Sequence, residues 1–300
     1  MPQPEASIGA AARRPRDDEV DVFGLTHAGK VRTVNQDHFL ISSLRKSMQI
    51  HHTSLPNVDD IPLEGERLAF LAMVADGVGG GVKGEVASRV AIAEVTQYIA
   101  HSMRCYYTAD SRNEEDFHKA LQEAAWLCHA SVVDNADNDP SARGMATTLT
   151  VWIGVWPQAY VLQVGDSRFY VFRQGELTQL TRDQTMAQEL LDSGVLTATE
   201  VSKTRWAHVL SSAIGGSQTA PVVTRIDQSW DNVGLLCSDG LTKHVPDEKI
   251  RGRLATMTSS RQVCETLLQD ALDDGGTDNI TIIVGRVVRR NHGEAANAAT

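Results

Sequence analysis

The 300 residues carry a formal net charge of −10 at pH 7, with 42% hydrophobic and 22% charged residues. These values are typical of a globular protein with a core of normal size, and the acidic balance argues against nucleic acid and membranes as partners. We find no signal-peptide pattern, no apolar run of membrane-spanning length and no C-x-x-C pair among the four distant cysteines, which together predict a reduced, cytoplasmic protein.

The two ends of the chain differ in composition from its centre. Residues 1–18 mix proline, alanine, arginine and aspartate without periodicity and are predicted to be a disordered lead-in, and 289–300 are predicted to be a tail. Between them the sequence contains no linker and no internal repeat. We therefore predict one domain over 19–288.

The domain is predicted to begin with strands. Two are expected near 20–26 and 35–42. The stretch 43–65 contains two prolines and adjacent histidines, and we interpret it as an irregular, exposed insertion. An apolar run bounded by polar and turn residues then predicts a buried strand over 66–75.

Helices and further strands follow this buried strand. Apolar residues recur at helical spacing and predict two amphipathic helices, at 87–99 and 117–132. The next four strands are joined by short loops, which favour an antiparallel meander. They are expected at 146–156, 160–164, 168–173 and 176–180.

Residues 183–218 break this pattern of strands. A short helix at 186–193 is followed by polar residues and glycines, and we interpret the whole segment as a flap over one edge of the domain. A strand, two helices and a closing strand complete the prediction, at 233–238, 247–256, 260–272 and 280–288. This order of elements predicts an α+β sandwich with sheets inside and helices outside.

Five aspartates lie at strand ends or turns, each beside an apolar run: Asp37, Asp76, Asp166, Asp239 and Asp278. Any one of them is explained equally well as part of a turn. If the strand ends converge, however, the carboxylates repel one another unless cations lie between them. Hard oxygen ligands without nearby histidine or cysteine favour Mg²⁺ or Mn²⁺.

Such a cluster indicates phosphate chemistry. Two hard cations about 3.5–4 Å apart can activate a water molecule for in-line attack on phosphorus. An arginine can bind the phosphoryl oxygens through two parallel hydrogen bonds. Arg32, five residues before Asp37, is the candidate for this role, and a surface arginine in a hairpin is the alternative.

Six motifs occur in order along the chain: Arg32-x-x-Asn35-Gln36-Asp37, Asp76-Gly77-x-Gly79-Gly80, Gly144-Met145-Ala146-Thr147-Thr148-Leu149, Gly165-Asp166-Ser167-Arg168, Cys237-Ser238-Asp239-Gly240-Leu241 and Asp278-Asn279-Ile280-Thr281. Together they resemble the signature of metal-dependent serine/threonine protein phosphatases of the 2C type, in their bacterial form. The resemblance extends from about residue 22 to 288. It implies a four-layer αββα sandwich, with two central antiparallel sheets flanked by helix pairs.

The resemblance also implies metal ligands. Asp76 is expected to bridge two ions, Mn²⁺ or Mg²⁺, and the carbonyl oxygen of Gly77 to complete one coordination shell. Asp239 and Asp278 are expected to hold the metal on one side, and Asp37 to act largely through bound water. Asp76 and Asp239 are accordingly predicted catalytic residues.

Further positions carry over from the same resemblance. Asp166 resembles the ligand of a third, weaker metal site, and Arg32 resembles the phosphate-binding arginine and completes the predicted catalytic set. Gln36 and Asn279 are expected to contact the metal ligands without binding metal themselves. Gln36 occupies a position where members of the family often have glutamate. Val78 stands where many eukaryotic members have a histidine, which leaves the group that protonates the leaving oxygen open.

The predicted function is hydrolysis of phosphoserine and phosphothreonine on proteins by attack of metal-activated water. The substrates are expected to include a serine/threonine protein kinase, and the enzyme to reverse kinase signalling in a bacterium. One alternative is a catalytically silent pseudophosphatase that acts as a regulatory binding module. Another keeps the chemistry but takes a phosphorylated anti-anti-sigma factor as substrate.

Overall fold

Eleven strands and seven α-helices follow one another in the part of the chain that the structure describes. This computed structural model describes residues 13–47, 49–50, 64–78, 82–101, 114–139, 142–201 and 203–290. The strands are β1 (Val20–His27), β2 (Asp37–Ser47), β3 (Glu64–Val78), β4 (Ala146–Thr147), β5 (Leu149–Val155), β6 (Gln158–Val164), β7 (Arg168–Arg173), β8 (Glu176–Gln179), β9 (Val222–Asp227), β10 (Val233–Cys237) and β11 (Ile280–Val287). The helices are α1 (Val82–His101), α2 (Glu114–Asn138), α3 (Met186–Asp192), α4 (Ala198–Val201), α5 (Asp239–Thr242), α6 (Asp247–Ala255) and α7 (Ser260–Asp273).

The strands form two antiparallel sheets. The first sheet has the order β1-β11-β10-β7-β8, and the second has the order β2-β3-β5-β6-β9, with β4 paired to β3. Helices α6 and α7 cover the outer face of the first sheet, and α1 and α2 cover the outer face of the second. The α+β prediction of two central antiparallel sheets between helix pairs is confirmed.

Apolar side chains fill the space between the layers. Because successive residues of a strand point to opposite faces, Met73 packs toward α1 and α2, whereas Val74 packs between the sheets. Phe169, Leu236 and Ile283 meet Val74 there from the first sheet. Strands buried on both faces need near-continuous apolar runs, and this is why those runs were readable from the sequence.

The predicted meander is wrong at the connection from β6 to β7, because β6 lies in the second sheet and β7 in the first. Gly165, at this crossing, has a φ of +103°. A Cβ atom here would also lie 2.7 Å from Cγ2 of Thr148. Glycine therefore permits a sharp change of direction, which puts Asp166 at the joint between the two sheets.

Other boundaries differ from the sequence prediction. Strand β2 continues to Ser47 and β3 begins at Glu64, so residues 43–47 and 64–65 of the predicted irregular stretch belong to strands. The structure begins within the predicted lead-in, where Arg13 pairs with Glu19 across a 3-10 turn. Residues 1–12, 51–63 and 291–300 lie outside the described residues, as do Met48 and Cys105. No helix in the described ranges has the length and apolarity needed to cross a membrane.

Candidate active site

The site is built at one end of the sandwich, where strands of both sheets terminate. Asp37 begins β2 and lies directly opposite Asp76 in the antiparallel pairing with β3. Asp37 is only 3% exposed, and one of its carboxylate oxygens, Oδ2, accepts hydrogen bonds of 2.7 Å from Ser238 and from Thr281. These two hydroxyl groups belong to the first sheet, so Asp37 joins the sheets.

The backbone of Asp76 is held by the last residue of β4 and the residue that follows it. Its N–H donates to Oγ1 of Thr148 at 3.0 Å, and its carbonyl oxygen accepts from the Thr147 hydroxyl at 2.9 Å and from the Thr148 N–H at 2.8 Å. Three hydrogen bonds therefore fix the position from which the Asp76 carboxylate projects into the cleft.

The loops that follow β10 and precede β11 approach each other very closely. Gly240 lies against the backbone of Asn279, and a Cβ atom at position 240 would be 1.9 Å from the Asn279 carbonyl oxygen. Only glycine fits such an approach without a backbone shift. The contact brings Asp239 and Asp278, which flank it in sequence, to the same end of the first sheet.

Asn279 also fixes the loop that carries Arg32. Its side-chain amide donates to the carbonyl oxygens of Ala28 and Val34 at 3.0 Å, and its Oδ1 accepts from the N–H of Gln36 at 2.9 Å. Three hydrogen bonds to one buried side chain hold this loop between the sheets. Gln36 is itself only 6% exposed, and its carbonyl oxygen accepts from the N–H of Gly77.

Two cationic side chains contact the acids. Lys243 Nζ lies 2.6 Å from Oδ2 of Asp239 and 2.7 Å from Oδ2 of Asp278. Arg32 contacts the same Asp278 carboxylate: a terminal nitrogen donates a hydrogen bond to Oδ2 at 3.1 Å, and Nε forms an ion pair with Oδ1 at 2.9 Å. Asp278 is thus surrounded by positive charge.

Among the described residues, two buried carboxylate oxygens have no hydrogen-bond donor: Oδ1 of Asp37 and Oδ1 of Asp239. Leaving a charged oxygen buried and unpaired is costly, and hydroxyl or ammonium groups satisfy the other oxygen of each carboxylate. The unpaired atoms are hard oxygen donors of the kind that Mg²⁺ and Mn²⁺ prefer. This donor set fits a divalent metal site.

The pKa values of the acids reflect their crowding. Burial, followed by the charges of Asp37 and Asp239, raises the pKa of Asp76 well above its ordinary value. Burial raises the pKa of Asp37 to about 6, against the lowering effect of its two hydroxyl donors. Burial and the Asp239 charge raise the pKa of Asp166. In Asp278 burial is outweighed by Lys243 and Arg32, and its pKa is lowered.

Without metal, this crowding is expected to make stability fall with rising pH. The unfolded pKa of an aspartate is about 3.9, and that of folded Asp37 is about 6. Between these pH values the folded state binds more protons than the unfolded state. The contribution of Asp37 to the free energy of unfolding is therefore complete below about pH 4 and is lost as pH rises through 6. The measurement is the Tm in EDTA from about pH 4.5 to 7 for wild type and Asp37→Asn. The variant is the reference because it lacks the titrating group at position 37 and keeps all the others. A wild-type Tm that does not fall relative to that of the variant would contradict this expectation.

These residues line a cleft of about 540 Å³. Its walls include the predicted positions Arg32, Gln36, Asp76, Gly77, Asp166, Asp239, Asp278 and Asn279. Asp37 lies behind this wall, bonded to Ser238 and Thr281. Part of the predicted flap, from His208 to Ala213, borders the cleft on another side. The glycines of the loop at 79–81 lie outside the described residues.

Sequence reasoning missed several residues that contact the acids. Lys243 follows Asp239 by four positions, a spacing that predicts a contact if that segment is helical. Its contact with Asp278 depends on tertiary structure and has no local signal. The hydroxyl donors Ser238 and Thr281 lie within the family motifs, but nothing in their spacing indicated a shared acceptor in Asp37.

The site combines strand-end carboxylates from two sheets, unpaired hard oxygens and flanking cations. This combination is typical of one class of protein, the metal-dependent hydrolases of phosphate esters. The comparisons with known proteins specify the class further. The family model for Protein phosphatase 2C matches residues 48–275. The chain belongs to this family, whose members are metal-dependent serine/threonine phosphatases.

Individual relatives agree with the family assignment. The serine/threonine protein phosphatase PstP of Mycobacterium tuberculosis is 33% identical over 238 residues, which are 79% of this chain and 44% of that protein. The protein phosphatase PhpP of Streptococcus pneumoniae is 30% identical over 270 residues, 88% of this chain and 96% of PhpP. This chain thus spans less than half the length of the mycobacterial relative and nearly all of the streptococcal one.

A solved structure is similar over almost the whole fold. The catalytic domain of the serine/threonine protein phosphatase PstP, in complex with two manganese ions, superposes with a TM-score of 0.68 at 29% identity. The match covers 90% of this chain and 99% of that one.

Proposed function

We propose that this chain is a protein serine/threonine phosphatase that hydrolyses phosphoserine and phosphothreonine by direct attack of water. One observation carries the proposal: acids from both sheets lie at or directly behind a single cleft, and among the described residues Asp37 and Asp239 each retain a buried oxygen without a donor. Family membership supports the same activity. The proposal excludes a phosphoenzyme, because the attacking group is solvent and not a side chain.

The proposed ligands are the five acids and one carbonyl group. Asp37, Asp76, Asp239 and Asp278, with the carbonyl oxygen of Gly77, would hold two divalent cations, Mn²⁺ or Mg²⁺, and Asp166 would contribute to a third site. Such cations lower the pKa of water and neutralise phosphoryl oxygens when bound. In the arrangement shown, no three acid, imidazole or thiol groups of the described residues are grouped closely enough to hold a metal ion.

The chain's own groups supply position and charge. We assign phosphate binding to Arg32, whose side chain is 48% exposed and whose guanidinium already contacts both oxygens of a carboxylate. Ser238 and Thr281 would fix the carboxylate of Asp37 by binding Oδ2, which leaves Oδ1 for the site. Asn279 would keep the loop of Arg32 in place.

The proposed substrates are phosphorylated proteins, and we propose a serine/threonine protein kinase among them. A cytoplasmic location in a bacterium is supported by three buried, unpaired cysteines, Cys128, Cys237 and Cys264, and by bacterial relatives named as phosphatases. The pseudophosphatase alternative gains no support, because all five acids and Arg32 are present at the cleft or directly behind it.

The test is hydrolysis of p-nitrophenyl phosphate and of a phosphothreonine peptide, with Mn²⁺ or Mg²⁺ and with excess EDTA. We expect turnover of both substrates with metal, and its loss in EDTA with recovery when Mn²⁺ is restored. Full activity in EDTA would contradict the metal-dependent chemistry. A folded protein that is inactive with both metals and both substrates would instead support the binding module.

A further inference from the structure

Lys243 occupies the space between two predicted metal ligands. It lies one helical turn after Asp239, at the end of α5, and its side chain is only 21% exposed. Its ammonium group is 2.6 Å from Asp239 Oδ2 and 2.7 Å from Asp278 Oδ2. An ammonium group this close to two carboxylates supplies positive charge where a divalent cation would supply it when bound.

The carboxylates of Asp278 and Asp239 differ in their hydrogen-bond donors. Both oxygens of Asp278 already accept hydrogen bonds, Oδ1 from the Asn279 N–H and Oδ2 from Lys243 and Arg32, and Oδ1 also forms an ion pair with Arg32 Nε. Asp239 retains a free Oδ1. A metal ion would therefore displace no hydrogen bond at Oδ1 of Asp239, but it would reach Asp278 only by sharing or displacing a contact from one of the two cationic side chains.

We propose that Lys243 is a built-in cation that neutralises Asp239 and Asp278 in the metal-free site and competes with divalent metal for them. The inference depends on the proposed function, since it takes the cleft to be a metal site. Two consequences follow from like-charge repulsion and from the loss of a compensating charge. Removing the ammonium group strengthens metal binding, and it destabilises the protein when metal is absent.

The alternative is that Lys243 is a positioning residue, and this alternative predicts the opposite change in metal affinity. If Lys243 served to hold the two carboxylates in the geometry that metal requires, its removal would weaken binding. The direction of the change in Kd therefore separates the two roles. Activity is not needed as a readout.

The experiment is titration calorimetry with Mn²⁺ on the full chain, together with thermal unfolding in EDTA and in saturating Mn²⁺. The neutral variants are Lys243→Met and Lys243→Gln, the second keeping a donor in case the first fails to fold without metal. Lys243→Arg keeps the charge. Lys119→Met is the matched control, because it removes another lysine–carboxylate pair at i,i+4, with Glu115 at 2.7 Å on the exposed face of α2.

For both neutral variants we expect the Mn²⁺ Kd to fall about tenfold or more and the Tm in EDTA to decrease, so that metal raises the Tm more than in wild type. Lys243→Arg and Lys119→Met should keep the wild-type Kd within about threefold. An unchanged or weaker Mn²⁺ affinity in the neutral variants overturns the inference and leaves the proposed function standing. If neither wild type nor variant binds Mn²⁺, both are overturned.

Discussion

Replacing Asp76 by asparagine is expected to reduce kcat by roughly 10³-fold or more, because the loss of several kcal/mol of charge stabilisation at the metal site has this effect. The same change should stabilise the metal-free protein. Asp76 faces Asp37 across two paired strands, and burial and neighbouring charges raise its pKa. The amide keeps the shape of the side chain and removes its charge. The backbone bonds to Thr147 and Thr148 are unaffected.

Two measurements check this prediction. Steady-state kinetics at saturating Mn²⁺ report the loss of kcat, and thermal unfolding in EDTA should show a Tm about 2–4 °C above wild type, the shift expected for about 1 kcal/mol. Asp273→Asn is the control, because this carboxylate lies on the exposed face of α7. Among the described residues, it accepts a side-chain hydrogen bond from Gln269. A variant within tenfold of wild-type kcat, or one with a lower Tm in EDTA, would argue against a metal-binding role for Asp76.

Replacing Gly240 by alanine is expected to have the largest effect on stability, a loss of about 3 kcal/mol or more. The added Cβ would lie 1.9 Å from the Asn279 carbonyl oxygen and 2.8 Å from its carbonyl carbon. Both atoms belong to the backbone, so neither can rotate away. Relief of the clash requires the loops that carry Asp239 and Asp278 to separate, and metal affinity should therefore fall together with stability.

The chain offers a matched control for this substitution in Gly252. It lies inside α6, and a Cβ atom there would have nothing within 4 Å. Gly252→Ala should therefore raise stability by about 0.5–1 kcal/mol through helix propensity alone. Urea unfolding of the three proteins in Mn²⁺ provides the comparison. Equal stability of Gly240→Ala and wild type would show that the two loops are not in close contact.

Much of the fold was predictable because its signals are local. Strands β3, β10 and β11 are buried on both faces and appear as continuous apolar runs in the sequence. The aspartates are recognisable because each adjoins such a run: Asp76 near the end of β3, Asp239 after β10 and Asp278 before β11. The convergence of these ends could be inferred only by assuming a sandwich or by resemblance to a family.

The parts that were not predicted depend on tertiary contacts or on weak patterns. Strand β9 was missed because none of its residues is fully buried and it includes Arg225 and Asp227, so it has no apolar run. The crossing at Gly165 has the same short loop length as a hairpin, and loop length alone does not reveal a change of sheet. The pairing of Lys243 with Asp278 joins residues 35 positions apart.

The register of the first sheet places the first and last strand residues of the domain at the end of the sheet opposite the cleft. Val20 pairs with Val287 where β1 enters and β11 leaves, and His27 pairs with Ile280 beside Asp278 and Asn279. Seven residue steps along the strand, or about 23 Å, separate these two pairs. A tether, a tag or a further module attached before β1 or after β11 would therefore lie at the end of the first sheet opposite the cleft.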